Sequence, residues 1–112
     1  MAKMQFSRGA DEDVIPDIRL TRSKDGTNGT ATFYFEKPTA LSNDVTADVT
    51  GLYMIDEEGE IITREVNAKF VNGKPEALVV LYVMKSVEEW DRFMRFMERY
   101  AERNELGFSK SS

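Results

Sequence analysis

Residues 86–106 read S-V-E-E-W-D-R-F-M-R-F-M-E-R-Y-A-E-R-N-E-L, and the fold of this 112-residue chain turns on them. Ser86 suits an N-cap, because its hydroxyl can accept the orphan N–H of Glu89. Glu89 can reach back to the Ser86 N–H and close an S-x-x-E capping box. At 100° per residue Val87, Trp90, Phe93, Met94, Met97, Tyr100 and Ala101 fall on one broad face, with Phe96 at its margin. No Pro or Gly interrupts the run before Gly107, a natural C′ residue. Burying large apolar side chains contributes ~1.5–3 kcal/mol each. Exposed pairs such as Glu88–Arg92 and Asp91–Arg95 contribute only ~0.2–0.5 kcal/mol each. The helix therefore lies on an apolar surface, and the rest of the chain must supply it.

That rest reads as β-structure. Met4–Ser7 is a short strand, followed by an acidic loop over Arg8–Pro16. Asp17–Arg22 alternates apolar and polar residues, and Thr30–Glu36 is rich in aromatic and β-branched residues. The D-G and N-G pairs within Ser23–Gly29 make these two a hairpin. Thr39–Val49 is a polar connection with a helical turn near Thr39–Ser42. Thr50–Asp56 is the next strand, turned by D-E-E-G-E into one long strand, Glu60–Val71. There Arg64 shares a face with Ile62, Val66, Ala68 and Phe70, a charged exception that marks a bulge or a rim. Asn72-Gly73 is a further hairpin turn. Glu76–Met84 is apolar on both faces and needs cover on both: the helix on one, and a second sheet layer, the N-terminal segment or a partner on the other. The expected fold is α+β: an antiparallel meander of five to six strands, in one layer or two, packed against one long C-terminal helix. Residues 1–112 form a single domain with flexible tails at about 1–3 and 109–112.

Composition limits the chemistry. The chain has no histidine and no cysteine, so the usual neutral-pH acid–base group and the usual zinc, haem, iron–sulfur and thiolate ligands are missing. Neither G-x-G-x-x-G nor the P-loop pattern occurs. The acidic clusters Asp11–Asp13 and Asp56–Glu60 lack the ligand ladder of an EF-hand and read as solvated turn carboxylates. The expectation is no enzyme, no cofactor and no metal. There is no run of 18 apolar residues and no signal-like N-terminus, so the protein is expected to work where it is made. A net charge of −5, from 15 basic and 20 acidic residues, argues against general nucleic-acid binding.

Two features could carry recognition. Arg92, Arg95, Arg99 and Arg103 project from the outer side of the helix as a basic stripe. Its like-charge i,i+4 pairs cost stability in isolation, yet arginines dock carboxylates and anionic headgroups in bidentate fashion. The plainer interpretation is a solvated face relieved by Glu88, Asp91, Glu98 and Glu102. The second feature is the edge strand Asp17–Arg22, short and polar, with Arg19 and Arg22 beside backbone groups open to strand addition. Trp90, Phe93 and Met97, by contrast, read as core.

Five strings then converge: M-Q-F-S-R-G, T-A-T-F-Y-F-E, D-E-E-G-E, N-G-K-P and S-x-E-E-W-D-R-F-M-R-F-M-E-R-Y-A. Together they resemble the Psb28 family of photosystem II assembly factors over nearly the whole chain. The W-D-R-F-M-R-F-M-E-R-Y run is highly specific, since an amphipathic helix does not demand that order. The resemblance implies a non-catalytic accessory protein without a cofactor. It implies transient binding to photosystem II assembly intermediates on the cytoplasmic (in plastids, stromal) face of the thylakoid membrane. The implied partners are the larger inner antenna chlorophyll protein and reaction-centre core subunits near the quinone site, with the immature complex supported and protected and the mature one left free. The chain would be a monomer, with dimerisation open, and would meet the membrane through its protein partners. The partner-binding residues expected from the stripe and the edge are Arg19, Arg22, Arg92, Arg95, Arg99 and Arg103. The alternative is a nucleic-acid-binding module using the helix arginines.

Overall fold

The computed structural model describes residues 2–41 and 49–104. Among them the chain forms strands β1 (Lys3–Ser7), β2 (Ala10–Asp11), β3 (Asp17–Arg22) and β4 (Gly29–Glu36), then a 3₁₀ turn at Thr39–Leu41. Strands β5 (Leu52–Asp56), β6 (Gly59–Thr63), β7 (Glu65–Val71) and β8 (Lys74–Met84) follow, and helix α1 (Val87–Arg103) closes the described chain. The α+β class is as read from the sequence, but the meander of five to six strands is not. The eight described strands make two antiparallel four-stranded sheets, ordered β2-β1-β5-β6 and β3-β4-β8-β7.

The difference arises at Thr63-Arg64-Glu65. The expected long strand over residues 60–71 is two strands, β6 in the first sheet and β7 in the second. Thr63 makes the transfer possible. Its hydroxyl donates to the Leu81 carbonyl of β8 at 2.7 Å and accepts the Glu65 N–H at 3.3 Å, while Val66 N–H closes on the Arg64 carbonyl at 3.0 Å. Backbone groups that lose their ladder at the crossing thus regain partners. Arg64 is neither bulge nor rim but the exposed residue at the change of sheet. A second difference lies in the acidic loop, where Ala10–Asp11 returns against β1 after a turn at Gly9, whose φ of +90° suits glycine. Gln5 holds that return, donating to Asp11 at 2.7 Å and accepting the Gly9 N–H at 3.0 Å. Ala2 and Lys3, expected in a tail, are packed: Ala2 is buried and Lys3 opens β1.

The helix begins as expected, with Ser86 Oγ accepting the Glu89 N–H at 3.1 Å. The reciprocal arm differs: Glu89 Oε1 accepts from the Lys85 N–H at 2.6 Å, one residue further back than a capping box requires. Asn104 ends the helix by donating its own N–H and its Nδ2 to the Tyr100 carbonyl, at 3.1 and 2.8 Å. The expected cap at Gly107 and the 109–112 tail lie outside the described residues, as do residues 42–48 of the polar connection.

One core joins both sheets and the helix. Phe6 of the first sheet meets Phe35 of the second edge-on, with centroids 4.7 Å apart. Phe93 of α1 lies edge-on to Phe33 at 6.0 Å and 5.5 Å from Tyr82. The helix touches β5 and β8, one strand of each sheet. That double contact swings its buried arc: Phe96, expected at the margin, is fully buried, whereas Val87 is exposed. Trp90 is half-buried at the side of the core. Among the described residues strand β8 is only partly covered on its second face. Leu78, Val80 and Met84 are buried, but on the opposite face Leu81 and Val83 are 37% and 45% exposed beside Tyr34 at 36%.

Trp90 depends on Gly29. A Cβ built at Gly29 would stand 2.4 Å from the indole Cζ3 and 2.8 Å from the Thr21 carbonyl oxygen. Gly29→Ala is expected to destabilise the fold by about 1–3 kcal/mol through overpacking, measured as a lower urea midpoint with an unchanged slope.

Candidate functional site

Three of the four stripe arginines meet one turn. Helical spacing puts Arg92, Arg95 and Arg99 on one face of α1, and the β5–β6 turn brings Asp56 and Glu58 against it. Arg92 donates to both Asp56 oxygens at 2.9 and 2.7 Å, and Arg99 Nη1 donates to Asp56 Oδ2 at 2.9 Å. Arg95 grips Glu58 through Nε and Nη2 at 2.9 and 3.0 Å, and Arg99 Nη1 reaches the same carboxylate at 2.6 Å. The Asp56 side chain has no exposed surface, 0%. The turn carboxylates are therefore not merely solvated. They relieve the like-charge pairs from another element, a role expected of Glu88, Asp91, Glu98 and Glu102. Composition could not reveal this pairing, because 36 residues separate Asp56 from Arg92. The traceable signal was the match between carboxylates at i and i+2 of D-E-E-G-E and arginines spaced one turn apart.

Burial alone would push the Asp56 carboxyl up, but hydrogen bonds from Arg92, Arg99 and the Glu58 N–H outweigh it and hold the group below its usual range. Hydrogen bonds from Arg95 and Arg99 lower Glu58 to about 2. In return Glu58 raises Arg95, and Asp56 and Glu58 raise Arg99. Asp56, Glu58, Arg95 and Arg99 are thus each favoured in the charged form, and the cluster acts as a clamp and not as a proton-transfer site.

The other expected residues are dispersed. Arg103 donates to the Ala2 carbonyl at 3.2 Å, tying the end of α1 to the start of the described chain. Arg22 donates to the Gly26 carbonyl at 3.1 Å and stacks 4.7 Å above Trp90. With Met94 and Arg95 they line an open groove of about 410 Å³. Arg19 stands exposed at the middle of β3, paired across to Thr32, and its side chain hydrogen-bonds to none of the described residues. Strand β3 is a sheet edge, as expected, and β7 is the other edge of the same sheet. Sequence reasoning missed β7, whose residues are nearly all exposed, because it was merged into a longer strand. It also missed Arg8, which holds Glu60 through two bonds at 3.0 and 2.9 Å while lying 4.5 Å over the Tyr53 ring. Among the described residues no group of His, Cys, Asp and Glu is arranged to hold a metal ion, and no helix is long and apolar enough to cross a membrane.

A sequence model of the family described as Psb28 protein matches residues 4–108. The chain belongs to the Psb28 family. It is 71% identical over 111 residues, 99% of this chain and 98% of the relative, to a Photosystem II reaction center Psb28 protein of Nostoc punctiforme. It is 67% identical over 111 residues, 99% of this chain and all of the relative, to the protein of that name in Nostoc sp.. It is 62% identical over 113 residues, 99% of this chain and 98% of the relative, to the one in Phaeodactylum tricornutum. In this Psb28 fold the nucleic-acid alternative finds no support: Arg92, Arg95 and Arg99 face carboxylates and Arg103 a backbone carbonyl, so the basic stripe is largely neutralised within the chain.

Two outcomes follow for the clamp. Asp56→Ala strands two guanidinium groups against a packed surface and is expected to cost about 2–3 kcal/mol, read from urea unfolding. Glu58 is lowered from an ordinary 4.5 to about 2, so its stabilisation is complete above pH 4.5 and is lost as pH falls toward 2. Arg95→Gln should flatten that part of the stability–pH curve, measured by unfolding midpoints across the range.

Proposed function

We propose that this chain is a non-catalytic accessory protein of photosystem II. It binds assembly intermediates transiently on the cytoplasmic or stromal thylakoid face and leaves before the complex matures. The observation that carries this is family membership along nearly the whole chain, with relatives that bear the name of the photosystem II reaction centre. Its partners are the larger inner antenna chlorophyll protein and core subunits near the quinone site, where the bound chain shields the immature acceptor side.

The attachment is strand addition at an open sheet edge. Strand β3 supports it, because its outer backbone groups border no described strand and Arg19 beside them is uncommitted. An extended acidic segment of the antenna protein would pair with β3 and meet Arg19, with Arg22 at the strand's end. Arg92, Arg95, Arg99 and Arg103 hold the fold that presents this edge, and they reach a partner only by exchanging the contacts they already have. Polar edges of this kind suit reversible complexes better than broad apolar interfaces do.

Co-purification from thylakoids resolved by assembly stage tests this. Tagged wild-type chain is expected with intermediates and not with the mature complex. Arg19→Glu should reduce that recovery roughly tenfold, the scale of one interfacial charge contact, with unfolding midpoint unchanged. Equal recovery of Arg19→Glu would remove β3 from the interface. Failure of the wild-type chain to bring down any photosystem subunit would remove the function.

A further inference from the structure

The tip of the β7–β8 hairpin is built unlike the rest of the surface. Asn72 and Gly73, with φ of 53° and 79°, form the two-residue turn expected from their sequence. Immediately before it stand Phe70 and Val71, exposed by 64% and 53%, more than the other large apolar residues among the described ones. They pair with Pro75 and Lys74 across the hairpin. As neighbours along a strand they leave opposite faces of the ribbon, so the tip is apolar on both sides.

Three lysines collect around it. Lys74 lies in the pair next to the turn, Lys69 precedes Phe70 and sits 5.7 Å over the Tyr34 ring, and both are exposed. Lys37 is brought alongside because its N–H donates to the Glu76 carbonyl at 2.9 Å, with its backbone at φ 45°. Pro38, Leu41 and Pro75 line the hollow between Lys37 and Glu76. Glu36, in the row of Lys69 and Ala77, and the half-buried Glu76, next to Pro75, are the acids of this end. In a chain of net charge −5, the hairpin tip carries the opposite sign.

We infer that this tip is a lipid contact, which inserts Phe70 and Val71 between the headgroups of an anionic bilayer while Lys37, Lys69 and Lys74 meet the phosphates. The chemistry favours lipid over protein: apolar side chains on both faces of a hairpin end, with cations around them, suit a fluid anionic surface that asks for no complementary shape. The cations agree. Lysine is a point charge on a long apolar stem that reaches headgroups while the stem stays in the interface. Arg92, Arg95 and Arg99, whose guanidinium groups suit fixed carboxylates, are held elsewhere in ion pairs. An aromatic ring at headgroup depth is the usual anchor of an interfacial segment. Lipid contact at this tip goes beyond attachment at β3 and does not depend on it.

The test is flotation of the full chain with vesicles of phosphatidylcholine, with and without phosphatidylglycerol. The wild-type chain should float with the anionic vesicles only, and less as salt rises. Phe70→Asp should abolish this, and each of Lys69→Glu and Lys74→Glu should weaken it on the order of fivefold or more. Circular dichroism is expected to be unchanged, since these side chains are exposed. The inference is overturned if the wild-type chain floats with neither vesicle, or with both equally, or if the variants float as it does. It is overturned as well if Phe70→Asp lowers recovery with photosystem complexes while wild-type chain shows no vesicle binding, which would make the tip a protein contact.

Discussion

Everything in this structure hangs on one helix resting across two sheets at once. The Phe93 ring, wholly buried, bears on Phe33 and Tyr82 of the second sheet, while α1 also touches β5 of the first. Neither small sheet could bury its own inner face. Phe6 against Phe35 joins them, and the helix covers the junction. Apolar contact of this sort fixes that the helix docks but leaves its rotation and sliding weakly specified. The Asp56 clamp supplies the missing register, because a buried carboxylate with two guanidinium partners tolerates little displacement. The β5–β6 turn is thereby locked to the outer shoulder of the helix, and the arginine stripe becomes part of the scaffold.

With the stripe committed, the exposed surface that is not tied down within the chain lies on the second sheet. Among the described residues its order β3-β4-β8-β7 leaves both edge strands unpaired on their outer sides and its outer face exposed at Tyr34, Leu81 and Val83. One edge, β3, is polar and carries Arg19, whose side chain has no partner among the described residues; the other, β7, ends in an apolar tip with lysines around it. A sheet that buries one face against its own helix and keeps the rest polar or sparsely apolar avoids permanent association while remaining able to dock.

Local features were legible where the signal was local. The Ser86 cap, the Thr39–Leu41 turn, the Asp17–Arg22 edge and the Asn72-Gly73 hairpin all follow from residues within a few positions of one another. The identities of the aromatic core residues were readable too, because period alone places Phe93 and Met97 inward. What failed were judgements about which partner an element finds. Merging β6 with β7 overlooked the role of Thr63, whose hydroxyl reaches a carbonyl 18 residues away. Assigning neighbouring glutamates to the arginines overlooked Asp56 for the same reason. The candidate site was thus legible as residue types, and of the six arginines Arg19 is the one whose side chain has no partner among the described residues.

The chain's order of residues by itself determined the element types, their turns, the amphipathic stripe of the helix and membership in a family whose long aromatic run is unmistakable, since these depend on spacing along the chain and on composition. Only the tertiary structure decided that there are two sheets, that Arg92, Arg95 and Arg99 pair with the carboxylates of the β5–β6 turn, and that Leu81 and Val83 on one side of β8 are exposed. Those outcomes turn on contacts between groups far apart in sequence, where burial and hydrogen bonding select a single partner from many of the same chemical kind.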